Sequence, residues 1–146
     1  MESVCSEGLR LGIVSSTYLP VLGGLQFQLE TQVHWIDQHY EFLRSKYHLE
    51  SVVFFLPKAY KMEQERDFKY LAVEYFDFSM TPWGIFWGWY QLRALFKANN
   101  INISHAHNVG VDGMLTLWMP RGGKRVLTSH GQDIAHYPEF SFGLRK

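Results

Sequence analysis

The sequence predicts an α/β fold: a Rossmann-like parallel sheet with helices on both faces. Three observations lead there. Short apolar runs recur along the chain, several rich in β-branched residues, each bounded by Gly, Pro or polar positions. Between them lie segments whose apolar residues return every three or four positions, the helical period. Strand and helix therefore alternate throughout, and that alternation means parallel strands joined by right-handed crossovers.

Leu9 to Ser16 (LRLGIVSS) is the first strand. A loop with Pro20 and the Gly23-Gly24 pair follows. Leu25, Leu29, Val33, Ile36, Tyr40, Leu43 and Tyr47 then form the stripe of one amphipathic helix. Ser51 to Leu56 (SVVFFL) is a second, buried strand stopped by Pro57, and Lys58 to Asp67 is a polar surface connection. Phe68 to Tyr75 alternates as a third strand. Pro82 and Gly84 lead into an aromatic helix with Ile85, Trp89, Leu92 and Phe96 on one face, ended by Asn99-Asn100. Ile101 to His107 is a fourth strand. Gly113 to Met119 is a short helix with Asp112 as its N-cap, and Arg125 to Ser129 is a fifth strand. The region of Asp133 opens another helix or turn.

Composition narrows the function classes. The 146 residues suit one domain, residues 1–146. Fourteen basic and fourteen acidic residues cancel, which excludes a generally basic nucleic-acid binder and an acidic tail. Apolar residues make up 47% and aromatic residues 16%, too apolar for a disordered chain. Cys5 is the lone cysteine, so neither an intrachain disulfide nor a cysteine metal site can form, and a reducing compartment is expected. Residues 1–10 hold two Glu and no apolar block, unlike a secretory signal. No run of eighteen apolar residues occurs. The expected setting is cytoplasmic, with peripheral membrane contact left open.

In such sheets ligands bind beyond the carboxyl ends of the strands. Three groups fall there: Gly23-Gly24, the His105/His107 pair, and His130 with Asp133. A Gly pair before a helix lets backbone amides approach a phosphate; the plainer alternative is a simple turn. The dinucleotide fingerprint Gly-x-Gly-x-x-Gly is absent, which disfavours a nicotinamide dehydrogenase. His105 and His107, one residue apart on a strand, share a face. They are metal ligands only if partners such as His130 and Asp133 join them. Otherwise one is a packed, hydrogen-bonded histidine and the other faces the cleft. In Thr128-Ser129-His130-Gly131-Gln132-Asp133 a strand ends in His, Gly turns the backbone away, and Asp133 either caps a helix or binds a hydroxyl. No Gly-x-Ser-x-Gly elbow supports Ser-His-Asp chemistry. Trp83, Phe86, Trp87, Trp89 and Tyr90 exceed what one helix face can bury, so a second face is left for a partner domain, a membrane interface or an apolar acceptor.

Leu11-Gly12-Ile13-Val14, Tyr18-Leu19-Pro20 and Gly23-Gly24 together resemble the opening of retaining glycosyltransferases of family 4, which have the GT-B fold. Ser104-His105-Ala106-His107 with Asp112-Gly113 resembles their fourth-strand segment. Arg125 to Asp133 is similar to their His-Gly-x-Asp stretch, and Pro138 to Arg145 is similar to the segment after that stretch in some members. Ser45 to Val52 departs from the family by lacking the Gly-His-x-Val turn that closes its first helix. The resemblance implies one half of a GT-B fold: the N-terminal, acceptor-side domain, with the C-terminal nucleotide-binding domain absent, through excision, truncation or division between two chains. It implies sugar transfer with retention, a nucleotide-sugar as co-substrate, and no tightly bound cofactor or metal. The acceptor would be a sugar or a lipid-linked molecule, and a second-domain chain a partner. Carried over by position, Gly23 and Gly24 approach the donor diphosphate, His130 contacts the transferred sugar as catalytic residue, Asp133 binds donor and His107 lines the acceptor cleft. The alternative from another class is a non-enzymatic Rossmann-like module that pairs with a partner chain. A metal hydrolase is a third, weaker reading.

Overall fold

The computed structural model describes residues 8–17, 24–61, 68–108, 110–117 and 123–129. Five parallel strands form one sheet: β1 (Leu9–Val14), β2 (Leu49–Pro57), β3 (Leu71–Phe76), β4 (Ile103–Ala106) and β5 (Lys124–Leu127). Their spatial order is β3-β2-β1-β4-β5. The helices are α1 (Gly24–Gln38), α2 (Tyr40–Tyr47), α3 (Pro82–Ala98) and α4 (Val111–Thr116), with a 3-10 turn at Lys58–Tyr60.

Side-chain alternation divides the core into two layers. Ile13, Val52, Phe54 and Leu56 point to one face, where Leu29, Val33 and Ile36 of α1 and Tyr40 of α2 cover them. Val14, Val53, Phe55 and Phe76 point to the other, against Leu92 and Phe96 of α3 and Leu115 of α4. The sheet is therefore clad on both faces, as the strand–helix alternation predicts. Near its centre Gly12 has no room for a side chain. A Cβ there would lie 3.0 Å from Ile101 and from the Phe55 ring, and 3.3 Å from Phe96.

The expected single helix over Leu25–Tyr47 is two. His39 interrupts it: its ring bonds the Trp35 carbonyl at 2.8 Å and stacks on the Trp35 ring, centroids 4.5 Å apart. The stripe still works as far as Tyr40, whose hydroxyl donates to the Glu50 carbonyl. Tyr47, its last expected member, is half exposed. Ile85 and Trp89 are likewise only half-buried, and Gly88 joins Leu92 and Phe96 on the buried side of α3.

Strand boundaries move for identifiable reasons. β3 begins at Leu71 rather than Phe68 because the Asp37 carboxylate takes the backbone N–H groups of Lys69, Tyr70 and Leu71, at 3.0, 2.7 and 3.0 Å. β4 begins at Ile103, since Ile101 still donates to the Phe96 carbonyl at the end of α3. Asn100, at φ 52°, makes that turn in the left-handed region.

The glycine missing after the first helical segment has a structural counterpart. His48 closes α2 at φ 57°, ψ 38°, a conformation that costs a non-glycine residue roughly 1–2 kcal/mol. His48→Gly should therefore stabilise the protein by about 0.5–1 kcal/mol once glycine's larger unfolded-state entropy is subtracted. Thermal unfolding will show it as a rise of roughly 2 °C or more in Tm. An unchanged or lower Tm would contradict it.

Candidate functional site

The strand order reverses between β1 and β4: the chain steps outward one way through β2 and β3, then crosses back to β4 and β5. At such a point the loops leaving two neighbouring strands diverge to opposite faces and open a crevice at the carboxyl edge. Residues 15–17, after β1, and His107 and Asn108, after β4, form its walls.

This edge is tightly held. The buried Ser16 donates its backbone N–H to Asp112 Oδ1 at 2.7 Å, which ties the β1 loop to α4. Gln26 of α1 donates to the Thr17 hydroxyl at 3.2 Å and ties the same loop to the other face. Asn108 turns the chain into α4, its side chain accepting from the Gly110 N–H at 2.7 Å and its carbonyl from the Gly113 N–H at 2.8 Å.

Asp112 is thus not the N-cap expected of it. Gly110 holds that position, and Asp112 lies inside α4, fully buried. Its carboxylate acts across the sheet instead of along its own helix. Asp112→Ala leaves the Ser16 N–H buried without its acceptor, at a cost of about 1–3 kcal/mol, while Asp112→Asn keeps an acceptor and should cost less. Urea midpoints of the two variants check this; equal losses would count against the tether.

Beside the crevice, on the α1 face, lies an open pocket of about 580 Å³. Its helix wall is Phe27, Gln28, Thr31, Gln32 and Trp35 of α1, and its sheet wall is His105, His107 and Thr128. The pairing of Ile13 with His105 explains why both histidines look this way: Ile13 faces α1, and cross-strand partners share a face. Their rings stand 4.2 Å apart. His105 bonds Thr128 Oγ1 at 2.7 Å through Nε2 and meets the Gln32 amide nitrogen at 3.4 Å through Nδ1. An amide N–H₂ only donates, so this arrangement suits a neutral His105 with its proton on Nε2. His107 lies deeper, 1% exposed, at the pocket floor. Both histidines of the expected pair therefore line the pocket, His105 half-buried and bonded to Thr128, His107 the more deeply buried.

Among the described residues the lining contains no Asp, Glu, Lys or Arg. Two aromatic rings plus amide, hydroxyl and imidazole groups suit a ligand with an apolar face and several hydroxyls. Among the described residues no group of three His, Cys, Asp or Glu could hold a metal ion.

Gly24 is the first residue of α1, at the carboxyl edge, and a Cβ there would meet nothing within 4 Å. Packing therefore does not demand glycine at this position. Gly23, His130 and Asp133 lie outside the described residues. Sequence reading missed the two ties of the β1 loop and the α1 side of the pocket. Gln26 was a weak clue, a polar residue next to the apolar stripe. Phe27 and Trp35, off that stripe, were another. No protein-family model matches the chain, and a search of curated proteins finds no match.

Proposed function

We propose that the chain is the acceptor-side half of a retaining sugar transferase whose donor, a nucleotide-sugar, is held mainly by a second domain or chain. The observation that carries this reading is the pocket beside the β1/β4 crevice, whose lining among the described residues is aromatic and polar without charge. Trp35 and Phe27 supply flat apolar surface for a sugar ring, and Gln28, Thr31, Gln32 and Thr128 supply groups for its hydroxyls. The four segments that resemble family 4 glycosyltransferases support it from the sequence side. In this reading Gly23, Gly24 and Asp133 meet the donor, His130 contacts the transferred sugar, and His107 underlies the acceptor. The setting is cytoplasmic.

Catalysis of this type needs both walls of the cleft, since orientation and charge stabilisation come from groups on each. The purified chain should therefore bind neutral glycosides yet give no transfer from uridine- or guanosine-diphosphate sugars. Saturation-transfer NMR with a panel of aryl glycosides tests the first part, and Trp35→Ala should abolish the signal. Efficient transfer by the chain alone, or no glycoside binding at all, would overturn the proposal.

The module reading is favoured by β5, an edge strand among the described residues, whose four residues are all exposed, with Val126 and Leu127 about half accessible. Such an edge invites pairing with another chain. Capture of a partner strand by β5 with no glycoside binding would decide for it.

A further inference from the structure

We propose that the exposed side of α3 is a docking surface for an anionic lipid bilayer. Gly88, Leu92 and Phe96 already bury the opposite side of the helix. What remains outward is aromatic: Trp83 is 81% exposed, and Phe86, Trp87 and Tyr90 are each more than half exposed. At 100° per residue these four, with Arg93 and Lys97, fall within an arc of about 120°. The first turns of the arc are aromatic and the last are cationic.

The helix is fixed in this orientation. Thr81 caps it, its hydroxyl accepting from the Gly84 N–H at 3.1 Å. Gly88 lies so close to the preceding loop that a Cβ would stand 3.1 Å from the Asp77 carbonyl. The aromatic rings cannot be turned inward without breaking that contact.

Charge selects the occupant. No acidic residue occurs between Asp77 and Asp112. Asp77 itself is paired with Lys58 at 2.7 Å. Arg93 and Lys97 are exposed on an acid-free helix, so the arc is positive where it is charged and suits anionic headgroups. Trp and Tyr, with apolar bodies and one polar atom each, fit the headgroup–acyl boundary. No helix among the described residues is long and apolar enough to cross a membrane, so the contact is peripheral.

α3 starts six residues after β3 ends, so the aromatic half of the arc lies near the carboxyl edge where the crevice opens. Docking thus brings that edge toward the bilayer. If the sugar-transferase reading holds, the acceptor is lipid-linked; the docking itself does not depend on that reading.

The test is co-sedimentation of the 146-residue chain with vesicles of phosphatidylcholine alone or mixed equally with phosphatidylglycerol. Binding should require phosphatidylglycerol and weaken with added salt. Trp83→Ser with Trp87→Ser should weaken it at least about tenfold, and Trp83→Phe with Trp87→Phe should retain most of it. Arg93→Gln with Lys97→Gln should weaken it roughly 10- to 30-fold and carries the test should the serine variant fail to fold. No binding to the mixed vesicles overturns the proposal. So does unchanged vesicle binding in the serine variant; if self-association is lost there, the arc joins two copies of the chain instead.

Discussion

Phe54→Ala and Phe55→Ala should each lower the free energy of unfolding by about 3–5 kcal/mol, although the two residues are neighbours in sequence. Both are fully buried, one on each side of the sheet. Phe54 sits among Leu29, Val33 and Ile36 beneath α1. Phe55 meets the edge of the Phe96 ring, centroids 5.0 Å apart, above the space that Gly12 leaves open. Each truncation removes apolar contact and leaves a cavity that a two-sided sheet cannot collapse to fill. Urea unfolding measures the loss. Hydrogen exchange separates the layers: Phe54→Ala should deprotect α1 amides first, and Phe55→Ala those of α3. A loss below about 1 kcal/mol in either variant would mean that its layer is not packed as described.

The second large effect concerns His130 in an assembly competent for sugar transfer. His130 lies outside the described residues, three positions after β5 in sequence and two after Thr128, which lines the pocket. Under the proposed function its imidazole bonds the transferred sugar more strongly in the transition state than in the ground state. His130→Ala should then lower kcat by about 10²- to 10³-fold, with a smaller change in KM. Tm should stay near that of the unsubstituted protein. A purely structural histidine gives the opposite pattern, a lower Tm with kcat per folded molecule retained. Near-normal kcat in a folded variant removes the catalytic role.

Much of the fold was legible because its signals are local. The run SVVFFL is apolar on both sides of the pleat, which suits only a strand covered twice. β2 is that strand, buried from Val52 to Pro57. The spacing Leu29, Val33, Ile36, Tyr40 has the helical period, and the structure buries all four. The shared face of His105 and His107 followed from the two-residue period of a strand, and their rings are indeed adjacent. Boundaries were less legible: they are settled where side chains reach backbone groups, as Asp37 does at Lys69–Leu71 and His39 does at Trp35.

The sequence by itself determined the α/β class, the apolar faces of the elements and the pairing of the two histidines. Those depend on periodicity and steric preference within a few residues. Only the tertiary structure decided the strand order, and with it the crevice between β1 and β4. It alone set Asp112 against Ser16, 96 positions away, and gave the histidine pair a facing wall from α1. It also decided which α3 aromatics lie outside, since only packing of Gly88, Leu92 and Phe96 orients that helix. The physical reason is the same in each case. A local pattern states that a side chain will be buried or exposed, but its partner is chosen by how elements distant in sequence come to pack.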